Sequence, residues 1–162
     1  AEVMFGSADA GSPKGVKGKG RLIKWSEEQR ALADSLEMCK FIVRTSLIYP
    51  RWTGEFLAAV TGVEISDDDL MKTGERIVNL ERGFNLRQGL IPSDDTLSKR
   101  FMEEAVPDGP KKGYVFGPDF QIMLAEYYEA RGWDMETGLP RHGVFEGLGL
   151  ADVAEDVNRV RG

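Results

Sequence analysis

The sequence is poor in the residues from which metal sites and nucleophilic sites are built. Its 162 residues include one cysteine, Cys39, and one histidine, His142. A structural zinc site needs about four nitrogen or sulfur ligands, and a disulfide needs two cysteines. His142 lies in a predicted loop with no nucleophile at a recognisable spacing, so a catalytic triad is unsupported. The sequence also lacks glycine-rich nucleotide-binding fingerprints, and we predict no complete catalytic apparatus in this chain.

Long apolar runs and an excess of positive charge are absent as well. No stretch of about 18 apolar residues occurs, so no membrane-spanning helix is predicted, and the first residues do not resemble a signal peptide. The formal net charge is −6, which argues against a general nucleic-acid surface. A lone cysteine fits a reducing compartment. We therefore expect a cytoplasmic protein that binds neither nucleic acid nor membranes.

The first 24 residues differ in composition from the rest. Five glycines occur among the first twenty residues, and no apolar period accompanies them. Such stretches are typical of loops and linkers. We predict an extended segment over residues 1–24 and a helical domain over residues 25–162. Because the sequence begins without methionine, we also expect a piece excised from a longer protein.

The periodicity of the remaining chain predicts an all-α fold. The first helix is expected after Trp25 with Ser26 as its N-cap. Leu32, Leu36 and Cys39 recur at helical intervals, so this face is predicted to turn inward. By composition alone, a cysteine there is typical of core filling.

Further helices are predicted from caps and breakers. No segment has the alternation of a strand. The polar row Glu75, Asn79 and Arg82 shares one helix face and is, from its pattern alone, typical of a solvated or salt-bridged face. The predicted helices run from Thr53 to Val60, from Ser66 to Gly89, from Asp94 to Met102, from Pro118 to Gly132, from Val144 to Leu148 and from Asp152 to Val160.

Several stretches, in order over residues 15–150, resemble the helical C-terminal portion of the tungsten-containing aldehyde ferredoxin oxidoreductase family. Residues 34–39 resemble its Asp-x-x-Gly-Leu-Cys motif, and Leu148-Gly149-Leu150 closes the series. Between them lie Thr73-Gly74-Glu75-Arg76-Ile77-Val78-Asn79-Leu80-Glu81-Arg82-Gly83-Phe84-Asn85-Leu86-Arg87-Gln88-Gly89, then Asp94-Asp95-Thr96-Leu97 followed by Lys99-Arg100, then Tyr127-Tyr128-Glu129-Ala130-Arg131-Gly132-Trp133-Asp134.

The resemblance implies an all-α part of a larger α/β and α multidomain enzyme. The full enzyme holds tungsten, or molybdenum, on a bis-pterin (molybdopterin-type) cofactor beside a [4Fe–4S] cluster. Cys39 then corresponds to the fourth cluster ligand, and the other three lie outside this chain. Asp34 corresponds to a pterin-binding aspartate, and Met38, at the motif leucine, is grouped with them as cofactor-binding. The chemistry is consistent, because thiolates ligate cluster iron and carboxylates accept paired N–H bonds.

The implied reaction is oxidation of an aldehyde to a carboxylic acid, with ferredoxin as electron acceptor. The implied partners are the N-terminal domains of the same enzyme, with a homodimer allowed, and the isolated fragment is expected to be inactive. An aromatic acyl-CoA reductase and a non-catalytic helical interaction module remain alternatives. The row of Glu75, Asn79 and Arg82 gains a second interpretation, a buried network facing the rest of the enzyme. Glu37 departs from the motif, because it stands where the family has a glycine that would permit close backbone approach to the pterin.

Overall fold

The computed structural model of the chain describes residues 11–12, 15–39, 41 and 52–161. These residues form helices and connecting turns but no strand, and an isolated antiparallel bridge joins Trp133 to Pro140. The predicted all-α class is confirmed. The helices are α1 (Lys19–Ser35), α2 (Thr53–Thr61), α3 (Asp67–Arg87), α4 (Lys99–Glu103), α5 (Gly117–Arg131), α6 (Val144–Gly147) and α7 (Ala151–Arg161), with a 3-10 turn at Pro92–Asp94.

Helix α1 begins at Lys19, before the predicted start after Trp25. The Glu126 carboxylate accepts hydrogen bonds from the backbone amides of Gly18 and Gly20, at 2.9 and 3.0 Å. A Cβ at Gly20 would lie 2.3 Å from the backbone nitrogen of Tyr127, so the close approach requires glycine. The predicted extended structure is therefore wrong for residues 19–24. Residues 1–10 and 13–14 of that segment lie outside the described residues, and its role as a linker stays a prediction.

The described residues divide into two compact units. The first comprises those of Ala1–Lys24 and Leu90–Arg141, and its buried centre is aromatic and cationic. The Tyr128 and Trp133 rings are 5.6 Å apart at 82°. Arg131 is 2% exposed, with its guanidinium 5.2 Å from the Tyr127 ring centroid and its Nη2 donating to the carbonyl of Lys24 at 3.2 Å. Contact with aromatic faces stabilises a buried guanidinium.

The second unit comprises the described residues of Trp25–Gly89 and His142–Gly162. Leu32 of α1 and Leu70 of α3 form its buried apolar cluster. Helices α1 and α3 approach closely at Gly74, where a Cβ would lie 2.3 Å from the carbonyl oxygen of Glu28. Gly83 of α3 faces Val153 of α7, whose Cγ1 would lie 2.4 Å from a Cβ. Two glycines of α3 thus allow neighbouring helices to approach it.

The polar row on α3 is more buried than its pattern predicts. Asn79 is fully buried and donates its amide to the carbonyl of Glu75 at 3.0 Å. Arg82 is also buried, whereas Glu75 is half-buried. The interpretation as a solvated face is therefore wrong for Asn79 and Arg82. The burial that the second interpretation requires is present for these two, while a hydrogen-bond network and its relation to the rest of the enzyme stay predictions.

The observed ends of the other helices can be compared with the predicted capping and helix-ending residues. Ser66 caps α3, because its hydroxyl accepts from the Asp69 amide at 3.1 Å. Gly62 and Gly132 end α2 and α5 in left-handed conformations, with φ of 75° and 67°. The predicted helix start at Asp94 is wrong. The Asp94 carboxylate accepts from the Ile91 amide at 2.9 Å and closes the 3-10 turn, so α4 begins only at Lys99.

Candidate functional site

The turn after α1 is closed by two backbone hydrogen bonds. The amide of Met38 donates to the carbonyl of Ala33 at 2.8 Å, and the amide of Glu37 donates to the carbonyl of Asp34 at 3.1 Å. These bonds define a Schellman motif, in which the first residue after the helix cap adopts the left-handed conformation. The residue in that position here is Glu37.

Glu37 has a φ of 54° and is the only non-glycine residue with positive φ in the part of the chain that the structure describes. A side chain in the left-handed region costs about 1–2 kcal/mol, which is why glycine is usual there. The motif glycine at this position therefore has a local explanation in the helix-ending turn. Close backbone approach to a pterin is not needed to explain it.

Cys39 is exposed, so its predicted place in the core is wrong. Leu32 is buried, and Leu36 packs against the same cluster, as the periodicity predicts. The helical period stops before Cys39 because Glu37 reverses the backbone. The turn thus directs the cysteine out of the core that the two leucines enter.

The structure brings the three predicted cofactor-binding residues onto one short segment. Asp34 lies in the last turn of α1 and is exposed, while Met38 is half-buried within the turn itself. The Ser35 hydroxyl donates to the carbonyl of Ala31 at 2.8 Å, so the polar side chain between Asp34 and the turn is bonded back to the helix. The segment presents one carboxylate and one thiol from a fixed turn.

No group of three or more His, Cys, Asp or Glu side chains is placed to hold a metal within the described residues. His142 has a side chain that is 99% exposed, with Nδ1 3.8 Å from Glu146. This agrees with its predicted place in an exposed loop. None of the described helices combines the length and the apolar character required to cross a bilayer.

The turn after α1 thus presents one exposed thiol and one exposed carboxylate in the described, all-helical part of the chain. The family model described as aldehyde ferredoxin oxidoreductase, domains 2 & 3, matches residues 2–150. The chain therefore belongs to the aldehyde ferredoxin oxidoreductase family.

Proteins that carry this family name are among the relatives of the chain. The tungsten-containing aldehyde ferredoxin oxidoreductase of Pyrococcus furiosus is 40% identical over 127 residues, which are 78% of this chain and 20% of that protein. The protein of the same name from Thermococcus kodakarensis is 46% identical over 99 residues, 60% of this chain and 16% of that protein. An aliphatic sulfonate oxidoreductase, WOR-like subunit, of Pyrococcus furiosus is 31% identical over 138 residues, 81% of this chain and 21% of that protein. The chain thus spans about a fifth of the length of these relatives.

Proposed function

We propose that this chain is the C-terminal helical part of a tungsten-pterin, iron–sulfur oxidoreductase that converts aldehydes to carboxylic acids. The observation that carries the proposal is the exposed Cys39 on a fixed turn, in a chain that belongs to this family. A cysteine that belonged only to the core would be buried like Leu32. An exposed thiol on a rigid turn can instead be reached by iron held mainly by residues outside the chain.

The donor set fits the implied cofactors. Cys39 would supply one thiolate to a [4Fe–4S] cluster, and Asp34 would accept N–H bonds from the pterin. When bound, the tungsten-pterin centre supplies the two-electron chemistry, and the cluster supplies an exit for single electrons. The two hydrogen bonds of the turn would set the position of the thiolate, and Leu36, which packs against the cluster of Leu32 and Leu70, anchors the turn.

Met38 has a positioning role in this proposal. It is half-buried and donates the backbone hydrogen bond that closes the turn. Its amide is therefore already committed, and its side chain remains to pack beside the pterin. Ferredoxin is proposed as electron acceptor, and the remaining domains of the same polypeptide are proposed as the principal partner.

The decisive experiment replaces Cys39→Ser in the full-length protein. We expect loss of most of the cluster's visible absorption, together with iron content below that of the parent, because serine is a poor ligand for cluster iron. Ser35→Ala is the matched control, since it removes a polar group from the same segment without touching the thiol. Unchanged absorption and iron content in the Cys39→Ser protein would refute the assignment.

The substrate is tested separately. The full-length enzyme should reduce a viologen dye in the presence of an aldehyde, and the aldehyde should be recovered as carboxylic acid. The competing substrates are an aliphatic sulfonate, after the name of one relative, and an aromatic acyl-CoA. Faster turnover of either compound than of the aldehyde would replace the aldehyde as the proposed substrate. A polypeptide without three further closely spaced cysteines upstream would instead point to the non-catalytic interaction module.

A further inference from the structure

The second unit carries a groove far along the chain from Cys39. Its volume is about 380 Å³, within the general range of ligand-sized clefts. The groove lies between the first half of α3 and the turn that follows α6. We call it the Lys72 groove, and its lining is Ile65, Asp69, Lys72, Thr73, Arg76, Gly147, Leu148 and Gly149.

The two cations of the Lys72 groove form no ion pair in the part of the chain that the structure describes. Lys72 and Arg76 are both exposed and lie one helical turn apart, so their side chains share one face. Neither makes a hydrogen bond or ion pair with a described residue. The acidic residue of the lining, Asp69, accepts the Ser66 hydroxyl at 2.6 Å. The lining thus carries two cations and the one carboxylate of Asp69, a net positive charge in a chain of net charge −6, and this makes it suited to an anion.

Gly147 has no structural reason of its own to be glycine. It does not adopt a positive φ, and a Cβ built on it would meet no atom within 4 Å. In contrast, Gly20, Gly74 and Gly83 are all required by close contacts. Since glycine weakens a helix, its presence in α6 is explained if the space above it is filled by something outside the described chain.

Two of the stretches that carry the family resemblance meet at this groove. One contributes Thr73 and Arg76, and the other contributes Leu148 and Gly149. Neither stretch has a part in the proposed cofactor contacts of Asp34, Met38 and Cys39. The groove therefore gathers sequence features that the proposed function leaves unexplained.

We propose that the Lys72 groove binds a carboxylate-bearing segment from the remainder of the full-length polypeptide, paired with Lys72 and Arg76 and lying over Gly147. This rests on the proposed function, in which the chain is part of a longer enzyme. The chain covers about a fifth of its relatives' length, so a tethered segment is available at high effective concentration. A guanidinium and an ammonium on one face are suited to a carboxylate.

The test is zero-length carbodiimide cross-linking of the purified full-length protein, which joins a lysine amine to a carboxylate in direct contact. At low salt we expect Lys72 to be joined to an Asp or Glu outside residues 1–162 of the same molecule. Lys112, an exposed lysine of the other unit, is the internal control. The product should decrease several-fold at about 1 M salt, where charges are screened beyond about 3 Å. A Lys72 yield no higher than that of Lys112, or linkage only within residues 1–162 or to a second copy, would overturn the proposal.

Two substitutions at Gly147 sharpen the test. Gly147→Phe should fill the groove and abolish the Lys72 cross-link, with visible cluster absorption unchanged. Ala125→Phe, at another exposed helical position, is the matched control and should leave the cross-link intact. Gly147→Glu should divert the Lys72 cross-link to the introduced carboxylate. An undiminished cross-link to the outside segment in both Gly147 variants would contradict the proposal. Failure of the proposed function would appear as unchanged cluster absorption in the Cys39→Ser protein. Failure of the groove proposal would appear in the Lys72 cross-link, so the two outcomes are distinguishable.

Discussion

The turn at Glu37 and the turn at Gly132 have the same hydrogen bonds but different residues in the left-handed position. After α5, Gly132 donates to Glu129 at 3.1 Å and Trp133 donates to Tyr128 at 2.9 Å. After α1, Glu37 and Met38 make the equivalent pair. The turn after α5 has glycine in the left-handed position, where glycine has no steric penalty. The turn after α1 has the charged side chain of Glu37 there, at a φ of 54°.

The two turns also differ in what surrounds them. The Gly132 turn is continued by the bridge between Trp133 and Pro140, and the amide of Arg141 donates to the carbonyl of Gly132 at 2.8 Å. The turn at Glu37 leads directly to exposed Cys39. Backbone strain is commonly stored beside functional groups. Among the described residues, the side chain held in the left-handed region therefore lies at the turn that leads to Cys39 and not at the Gly132 turn.

The largest effect is expected from placing a glutamate in the turn at Gly132, as in the turn at Glu37. Gly132→Glu should destabilise the turn by about 1–2 kcal/mol, because a side chain then occupies the left-handed region. Amide hydrogen exchange of Trp133 in the full-length protein should accelerate about tenfold, which corresponds to about 1.4 kcal/mol. Gly132→Asn is the control with a smaller loss, since asparagine tolerates this region. Equal protection in the parent and the Gly132→Glu protein would contradict the steric argument.

The reverse substitution, in the turn after α1, should have a smaller effect. Glu37→Gly should stabilise the turn by about 0.5–1 kcal/mol, because relief of the steric penalty is partly offset by the entropy of glycine. The measurement is slower exchange of the Met38 amide, which donates to Ala33. Glu37→Ala removes the carboxylate but keeps the Cβ, so it should not give this gain. A gain of equal size with alanine would assign the effect to charge instead.

The smallest effect concerns the charges beside the Gly132 turn. The Arg141 guanidinium donates to Glu129 at 2.6 Å and lowers the pKa of that carboxyl. A lowered folded-state pKa gives stability that is present above the ordinary value and is lost as the pH falls through the folded-state value. We expect exchange of Trp133, corrected for its intrinsic pH dependence, to rise modestly on acidification below about pH 4.5.

Arg141→Met is the variant that tests this origin. It removes the guanidinium but leaves the backbone amide that donates to Gly132, so the acid-dependent part of the exchange should decrease. Asp134 also has a lowered pKa, mainly through the hydrogen bond from the Thr137 hydroxyl, and Thr137→Val separates that contribution. An acid dependence that persists undiminished in the Arg141→Met protein would exclude the ion pair as its cause.

The sequence predicts a helix end correctly where the capping or stop residue at that end is sufficient to fix it. Ser66 caps α3 with its own hydroxyl, and Gly62 and Gly132 end their helices by their own conformation. The start of α1 is different, because its amides are bonded by Glu126, more than one hundred residues later. The glycine-rich stretch before Trp25 is therefore predicted as a linker from its composition, because the bonds from its amides to Glu126 are not visible in the local sequence.

The residues of the candidate site stay a prediction from the family resemblance, whereas their geometry was not predicted from the sequence. Asp34, Met38 and Cys39 follow from the resemblance, yet helical periodicity places Cys39 in the core. The exposed position depends on the left-handed conformation of Glu37, a residue whose type gives no local signal for it. Burial of Asn79 likewise depends on helix packing around α3 that one helix face alone does not specify.

The bonds from Glu126 to Gly18 and Gly20 also set an order of events during synthesis. Helix α1 leads directly to Cys39, but its first turn is completed by a residue translated much later. At typical elongation rates of about 5–20 residues per second, the cysteine leaves the ribosome roughly ten seconds before Glu126 does. The hydrogen bonds that complete the first turn of α1 can therefore form only after the helix itself has been synthesised. On the nascent chain, Cys39 is therefore preceded for some seconds by a helix whose amino-terminal amides are not yet bonded by Glu126.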